Sequence, residues 1–428
     1  MTQQPRLSAD QVNSLTRLRA DALRELTENI LPFSMRSVVD RERGGFYGYV
    51  ANDRTVRKDA PKGLVQHGRM LWTFARAHRA LGNPDYRLIA QHAREALMNW
   101  FWDSRHGGLF WMVDYRGQPM EIDKWVYGQA FGIYAMAECH LDSGDAACLQ
   151  RAIDLYRLLE SCCRDPQHGG YSEVCRRDWA PAPDRHVDPT PLPVAKGMNT
   201  HLHLLEAYTN PLRAWDQADL RASPAIPRRD GAELRASLRA LIELTLLRII
   251  NPATGQFSLY FDRQWQSLSD VVSYGHDIEG SWLLVEAADV LGDADLLAQA
   301  RRAALRMAHA TLEQGVDADG GVFNEGDPLG PTDRGKIWWP QAEAAVGFLN
   351  AFQLSGDAHF LDATLASWRF IQERIVDKEN GDWFWGLDAA GRVLDREKAG
   401  PWKAAYHSGR ACMEVMRRVE ELVGAGEK

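Results

Sequence analysis

Apolar residues recur every three to four positions along much of this chain, as at Tyr86, Ile89, Ala93, Leu97 and Phe101. That spacing lays one apolar stripe along an α-helix, whereas a half-buried strand alternates every second residue. Apolar runs, among them MLWTFARAHRAL and SWLLVEAADVL, stop at Gly82-Asn83, Gly144-Asp145, Gly292-Asp293 and Gly356-Asp357. Glycine accepts the left-handed conformation that closes a helix, and Asn or Asp caps the start of the next. Each dipeptide therefore predicts one helix ending and a second beginning, and Pro84 suits the first turn of such a second helix.

A second punctuation mark alternates with the first. A Gly-aromatic signature occurs as RERGGFYGY at Gly44, DSRHGGLFW at Gly107, DPQHGGYSE at Gly169, NPATGQFSLYF at Gly255, DADGGVFNE at Gly320 and KENGDWFWG at Gly381. Successive copies lie 63, 62, 86, 65 and 61 residues apart. Only the third interval is stretched, by NPLRAWDQADLRASPAIPRRDG, whose prolines predict an insertion loop. From a hairpin glycine to the following helix break is 36 to 38 residues, and from break to next hairpin 25 to 28. The repeating unit is a Gly-aromatic hairpin, a first helix, a tight turn and a second helix. Six such units predict an all-α chain forming one domain over residues 1–428, a closed double-helical barrel with six inner and six outer helices. The alternative, an open solenoid, needs polar capping repeats and usually has shorter units.

In a closed barrel the first helices line the centre, so polar residues at matching places in different units converge on one pocket. The candidates are Arg69, Tyr127, Asn199 with His203, His276 with Glu279, Trp339 with Glu343, and His407, all 19 to 34 residues after their hairpin glycine. His276 and Glu279 are three apart and share a helical face, which predicts a carboxylate-imidazole pair suited to a general base. A surface ion pair or a satisfied buried histidine is the alternative. His201 and His203 fall on different faces, and Asn199, four before His203, marks His203 as the inward one. His407 follows Trp402 and Tyr406, a setting also common in cores. Arg69 keeps its charge, so at the centre it must pair with Glu279 or Glu343 or face a substrate oxygen.

Composition narrows the classes. Lys and Arg number 50 against 58 Asp and Glu, a formal net charge of -8, which lacks the cationic surface a nucleic-acid protein needs. No apolar run reaches 18 residues, and the opening MTQQPRLSAD has no signal-peptide pattern, so neither a membrane nor an export role is expected. The six cysteines form no CxxC pair and predict reduced thiols in the cytoplasm. No metal site is expected, since no HExxH supports the HxxE of His276; DADGG at Asp317 fails as a calcium loop because position twelve is Pro328. GxGxxG, P-loop and GxSxG motifs are absent. The 15 tryptophans stand out, because Trp stacks on the apolar faces of sugars.

At these same residues the chain resembles a known family. KGMNTHLHLLEAYTN, SYGHDIEGSWLLVEAA, KIWWPQAEAAVG and KAGPWKAAYHSGRACMEV are similar to motifs of the cellobiose 2-epimerases, within the wider N-acylglucosamine 2-epimerase superfamily. The resemblance runs from about Gly44 to Glu414. It implies a cofactor-free (α/α)6 barrel that inverts C2 of the reducing-end sugar in β-1,4-linked disaccharides such as cellobiose, lactose or mannobiose, by way of ring opening and a cis-enediolate. It implies His276 and His407, on opposite walls, as the two acid/base groups, Glu279 as the carboxylate beside the first, and His203 and Arg69 around O1 and O2. Tyr127, Asn199, Trp339 and Trp402 match residues that hold the sugars; Glu343 belongs with them as a pocket residue. The family usually has Pro and Asn flanking the Tyr-His dipeptide, where this chain has Ala405 and Ser408. The expected partner is the small sugar alone, with the chain monomeric or weakly dimeric. A monosaccharide enzyme, either a mannose isomerase or an N-acylglucosamine 2-epimerase, is the nearest rival. A glycoside hydrolase using Glu279 and Glu343 is a further one, but it leaves three histidines unexplained.

Overall fold

The computed structural model describes residues 5–187, 190–217 and 228–424. Within them lie twelve helices of 13 to 20 residues. They are α1 (Ala9–Arg24), α2 (Leu64–Leu81), α3 (Pro84–Ala96), α4 (Val126–Ser143), α5 (Ala146–Cys162), α6 (Met198–Gln217), α7 (Arg228–Leu244), α8 (Tyr274–Leu291), α9 (Ala294–Ala310), α10 (Trp338–Ser355), α11 (Ala358–Phe370) and α12 (Tyr406–Gly424).

The even-numbered helices form the inner ring, each packed on the next, with α12 closing against α2. Each odd-numbered helix from α3 to α11 backs the helix before it, and α1 backs α12. The chain is thus an (α/α)6 barrel. Its sixth hairpin joins the last helix to the first, so the two ends of the chain complete one another's packing.

Burial separates the layers. Every residue of α4 from Val126 to Cys139 is buried, whereas α3 buries only Tyr86, Ile89, Ala90, Ala93 and Ala96. The three-to-four spacing seen in the sequence is therefore the signature of the outer layer. All four Gly-Asx breaks form as expected: Gly82, Gly144, Gly292 and Gly356 take φ between 71° and 75°. Asn83, Asp145, Asp293 and Asp357 then accept backbone N–H bonds at the next helix start.

The Gly-aromatic hairpins dock on the starts of the inner helices. The backbone N–H of Phe46, Leu109, Tyr171, Phe257 and Val322 donates to the side chain of His67, Gln129, His201, Asp277 and Gln341, the fourth residue of five successive inner helices. A Cβ on Gly108, where φ is 71°, would lie 2.4 Å from the Trp179 ring, which explains the paired glycines. Beneath the hairpins run ion pairs on five buried lysines: Lys62 with Asp40 at 2.8 Å, Lys124 with Asp103 at 3.1 Å, Lys196 with Asp165 and Lys336 with Asp317 both at 2.7 Å, and Lys398 with Asp377. Short antiparallel ladders link neighbouring hairpins, and a bridge between Val50 and Ala399 seals the last to the first.

One expectation fails. The segment from Asn210 does not begin as a loop, because α6 continues through Pro211 to Gln217. Leu212 and Ala214 are buried, Asn210 donates to the Tyr134 carbonyl and to Glu138, and Arg213 pairs with Glu286 at 2.6 Å. These tertiary contacts outweigh the cost of an interior proline. The far end of the expected loop, Arg228 to Gly231, opens α7 instead, and the stretch between, 218–227, lies outside the described residues. The six cysteines are free thiols, and among the described residues no helix is long and apolar enough to cross a membrane.

Candidate active site

A cavity of about 560 Å³ opens at the end of the barrel where the inner helices begin, a size suited to a small ligand. Arg69, Tyr127, Asn199, His203, His276, Glu279, Trp339, Trp402 and His407 line it, so nine of the ten sequence candidates converge there. Glu343 lies one layer deeper, fully buried beneath His407.

The imidazole-carboxylate pairing differs from expectation. His276 and Glu279 do not pair: His276 Nδ1 meets Ser273 Oγ at 2.8 Å, while Glu279 accepts from Arg410. The pairs that form are His203 Nδ1 with Glu206 at 3.0 Å and His407 Nδ1 with Glu343 at 2.7 Å. Both leave Nε2 as the nitrogen available to a ligand.

Arg410, which the sequence reasoning missed, explains the difference. Its Nη1 donates to Glu206 and to the Tyr406 hydroxyl, and its Nη2 to Glu279 and, at 2.7 Å, to Glu343. One guanidinium thus anchors three buried carboxylates, two of which orient a histidine; its fork of donors suits that geometry. Glu343 also accepts from Trp282 Nε1 at 3.0 Å. Glu279, Glu343 and His407 bring ligand-type atoms within 4.8 Å of one another, the one such group among the described residues, but both carboxylates already receive Arg410. Among the described residues Arg69 pairs with no carboxylate. It donates to the Trp402 carbonyl and to Tyr127 Oη at 3.1 Å, while its Nε has no acceptor among the described residues.

Burial sets the protonation pattern. Loss of solvent pushes His276 down to about 3 and holds His203 and His407 below the usual histidine range; for His407, Arg69 and Arg410 add to this. All three are neutral imidazoles near pH 7. Burial and the adjacent Glu343 push Glu279 up to about 8. For Glu206 the opposing pull of Arg410 and His203 outweighs burial and holds it at about 2.

Aromatic rings complete the walls. Trp339 stands between the two outer histidines, with ring centres 4.6 Å from His276 and 5.7 Å from His407. His276 and His407 are therefore two inner helices apart, on α8 and α12, and not on opposite walls; the helix facing α12 across the ring is α6, which carries His203. Trp402 packs on Tyr127 and Trp111. Trp338, Trp385 and His186 also line the cavity and were not singled out from the sequence, although WW in KIWWPQAE and WFW in KENGDWFWG contain the two tryptophans.

The N-acylglucosamine 2-epimerase (GlcNAc 2-epimerase) family model matches residues 45–411. The chain belongs to this family. It is 39% identical to the cellobiose 2-epimerase of Bacteroides fragilis over 93% of this chain and 98% of that protein. With the cellobiose 2-epimerase of Ruminococcus albus it shares 37%, over 92% and 97%. The solved cellobiose 2-epimerase of Bacillus thermoamylovorans B4167 superposes with a TM-score of 0.86 at 34% identity, covering 94% of this chain and 100% of that one.

Proposed function

We propose that this family member inverts C2 of the reducing-end sugar of β-1,4-linked disaccharides, interconverting a glucose and a mannose unit by proton transfer between two histidines. The observation that carries the reading is the placement of two neutral imidazoles, His276 and His407, in one cavity on either side of Trp339. The cellobiose 2-epimerase relatives support the substrate class.

Ring opening moves the O1 proton to O5 and exposes an aldehyde, which makes the C2 proton removable. A neutral imidazole Nε2 takes that proton, the C2 carbanion delocalises onto O1, and a cis-enediolate results. The second imidazole, which has taken a proton from solvent, returns it to C2 from another direction, and the first then releases its proton to solvent. One proton leaves and one arrives, so no oxidant or reductant is consumed.

Negative charge on O1 and O2 is met by the Arg69 guanidinium, which lines the cavity, and by His203, which Glu206 holds in one orientation. Glu343 stabilises the imidazolium form of His407, and Ser273 sets the ring of His276. Trp339, Trp402, Tyr127 and Asn199 position the sugars. His276→Ala and His407→Ala are each expected to abolish turnover of cellobiose while retaining the parent circular-dichroism spectrum. Activity near the parent level in either variant refutes the assignment.

A further inference from the structure

Of the five contacts between hairpins and inner helices, four use a side chain that both accepts and donates. Gln129 accepts the Leu109 N–H at 2.8 Å and returns its amide N–H to the Leu109 carbonyl at 2.8 Å, and Gln341 does the same with Val322 at 2.7 and 2.8 Å. His67 and His201 accept at Nε2, from Phe46 at 3.2 Å and Tyr171 at 3.0 Å, while Nδ1 meets the Gly63 and Gly197 carbonyls at 2.8 and 2.7 Å. A carbonyl only accepts, so each Nδ1 carries the proton, and with Nε2 accepting both rings are neutral.

The fifth contact is made by Asp277 on α8. Its Oδ1 accepts the Phe257 N–H at 2.7 Å, and its Oδ2 has no hydrogen-bond partner among the described residues, although the side chain is fully buried. A carboxylate here would hold a charged oxygen away from both water and donors, a far larger penalty than a neutral group bears in the same place. The carboxylic acid instead offers one acceptor and one O–H, the combination that Gln and His present at the other four positions. Burial pushes Asp277 up to about 8 against the opposing pull of the Phe257 N–H and of Gln256, which face it from the hairpin; Tyr274, on its own helix, is its titratable neighbour.

This contact sits beside the sugar cavity. Phe257 packs so closely on α8 that a Cβ at Gly280 would lie 2.2 Å from its ring. Leu259 and Tyr260, two and three residues further along the hairpin, line the cavity, as do Ser273 and His276 on the helix side of the contact. We propose that Asp277 works as a neutral carboxylic acid, a positioning residue that fixes the Gly255 hairpin against α8 and thereby the cavity wall at Leu259 and Tyr260 relative to His276. The clamp is independent of the sugar chemistry; its bearing on turnover rests on the function proposed above.

The test compares the full chain with its Asp277→Asn variant, whose amide supplies the same acceptor and a donor at every pH. Difference infrared spectra at pH 6 should show a carboxylic-acid C=O stretch in the parent that Asp277→Asn lacks, while Glu279, present in both, cancels. An acid raised in the folded state loses folding stability as pH climbs from its unfolded value of about 3.9, so the urea midpoint of Asp277→Asn should gain on the parent between pH 5 and pH 8 and level off above that. With cellobiose the two kcat values should nearly agree at pH 7, and the ratio of variant to parent should rise roughly tenfold at pH 9, the inverse of the acid fraction left at a value of about 8. A contact that served the fold alone would leave that ratio flat. Absence of the parent-only acid band, a midpoint gap that is flat or turns toward the parent as pH rises, or a kcat ratio unchanged to pH 9 overturns the proposal. A parent that fails to turn over cellobiose removes the function proposed above, and the infrared and urea results still decide for or against the acid form of Asp277.

Discussion

Replacing Arg410 with Met removes the one cation that three buried carboxylates share, with little change in aliphatic bulk. Arg410 is fully enclosed and contacts Glu206, Glu279 and Glu343, all on different inner helices, so its loss strikes the barrel centre rather than one helix. Deleting one partner of a buried ion cluster typically costs about 3–5 kcal/mol, because the remaining charge stays desolvated. The sign of the pH dependence follows from the carboxyls. Without Arg410, Glu206 loses the cation that does most to hold it at about 2, and it joins Glu279 and Glu343 on the raised side. A carboxyl raised in the folded state destabilises that state above its unfolded value of about 4.3, and protonation relieves the penalty. The deficit of Arg410→Met is therefore largest near pH 7.5 and narrows toward pH 5. Urea unfolding of parent and variant at both pH values, followed by circular dichroism, measures it. A deficit below about 1 kcal/mol at pH 7.5, or one that widens on acidification, refutes the cluster's role.

Three further outcomes are expected. The acid limb of kcat/KM should fall below pH 6.5, the ordinary histidine value, since burial lowers His203, His276 and His407; a limb at or above 6.5 contradicts the neutral-imidazole assignment. Glu343→Gln removes the charge behind His407 Nδ1 while Glu206 and Glu279 still hold Arg410, so kcat should drop roughly ten- to a hundredfold with KM little changed; a kcat within twofold of the parent sinks the idea. Trp402→Ala should raise KM for cellobiose about tenfold with kcat within a few-fold, as loss of a stacking face implies; an unchanged KM removes Trp402 from the sugar site.

Much of the barrel was legible because its punctuation is covalent chemistry: only glycine closes a helix cheaply at φ near 71°, and Asn or Asp caps the next. The inner helices were harder to delimit, since residues buried on all sides, such as Val126 to Cys139, carry no amphipathic period. Pro211 misled because burial of Leu212 and the Arg213 to Glu286 pair override local propensity. At the site, convergence followed from the repeat, whereas pairing did not. The three-residue spacing that nominated His276 with Glu279 also occurs at His203 and Glu206, where the bond forms. Spacing says that two side chains share a face; it does not reveal a third group, here Arg410, that draws one of them away. Arg410 sits three residues after His407, and its carboxylate partners lie 67, 131 and 204 residues away in sequence. The lysine ring was visible in principle, as a Lys two residues before the helices that begin at Leu64, Val126, Met198 and Trp338.

The central claim is proton transfer at C2 of a disaccharide. Incubating the purified chain with cellobiose in deuterium oxide and following the reducing-end C1 and C2 signals by NMR tests it most directly. The account predicts 4-O-β-D-glucosyl-D-mannose carrying deuterium at C2, formed without added nucleotide. Epimer that retains protium at C2, or turnover of mannose or N-acetylmannosamine with none of cellobiose, would contradict it.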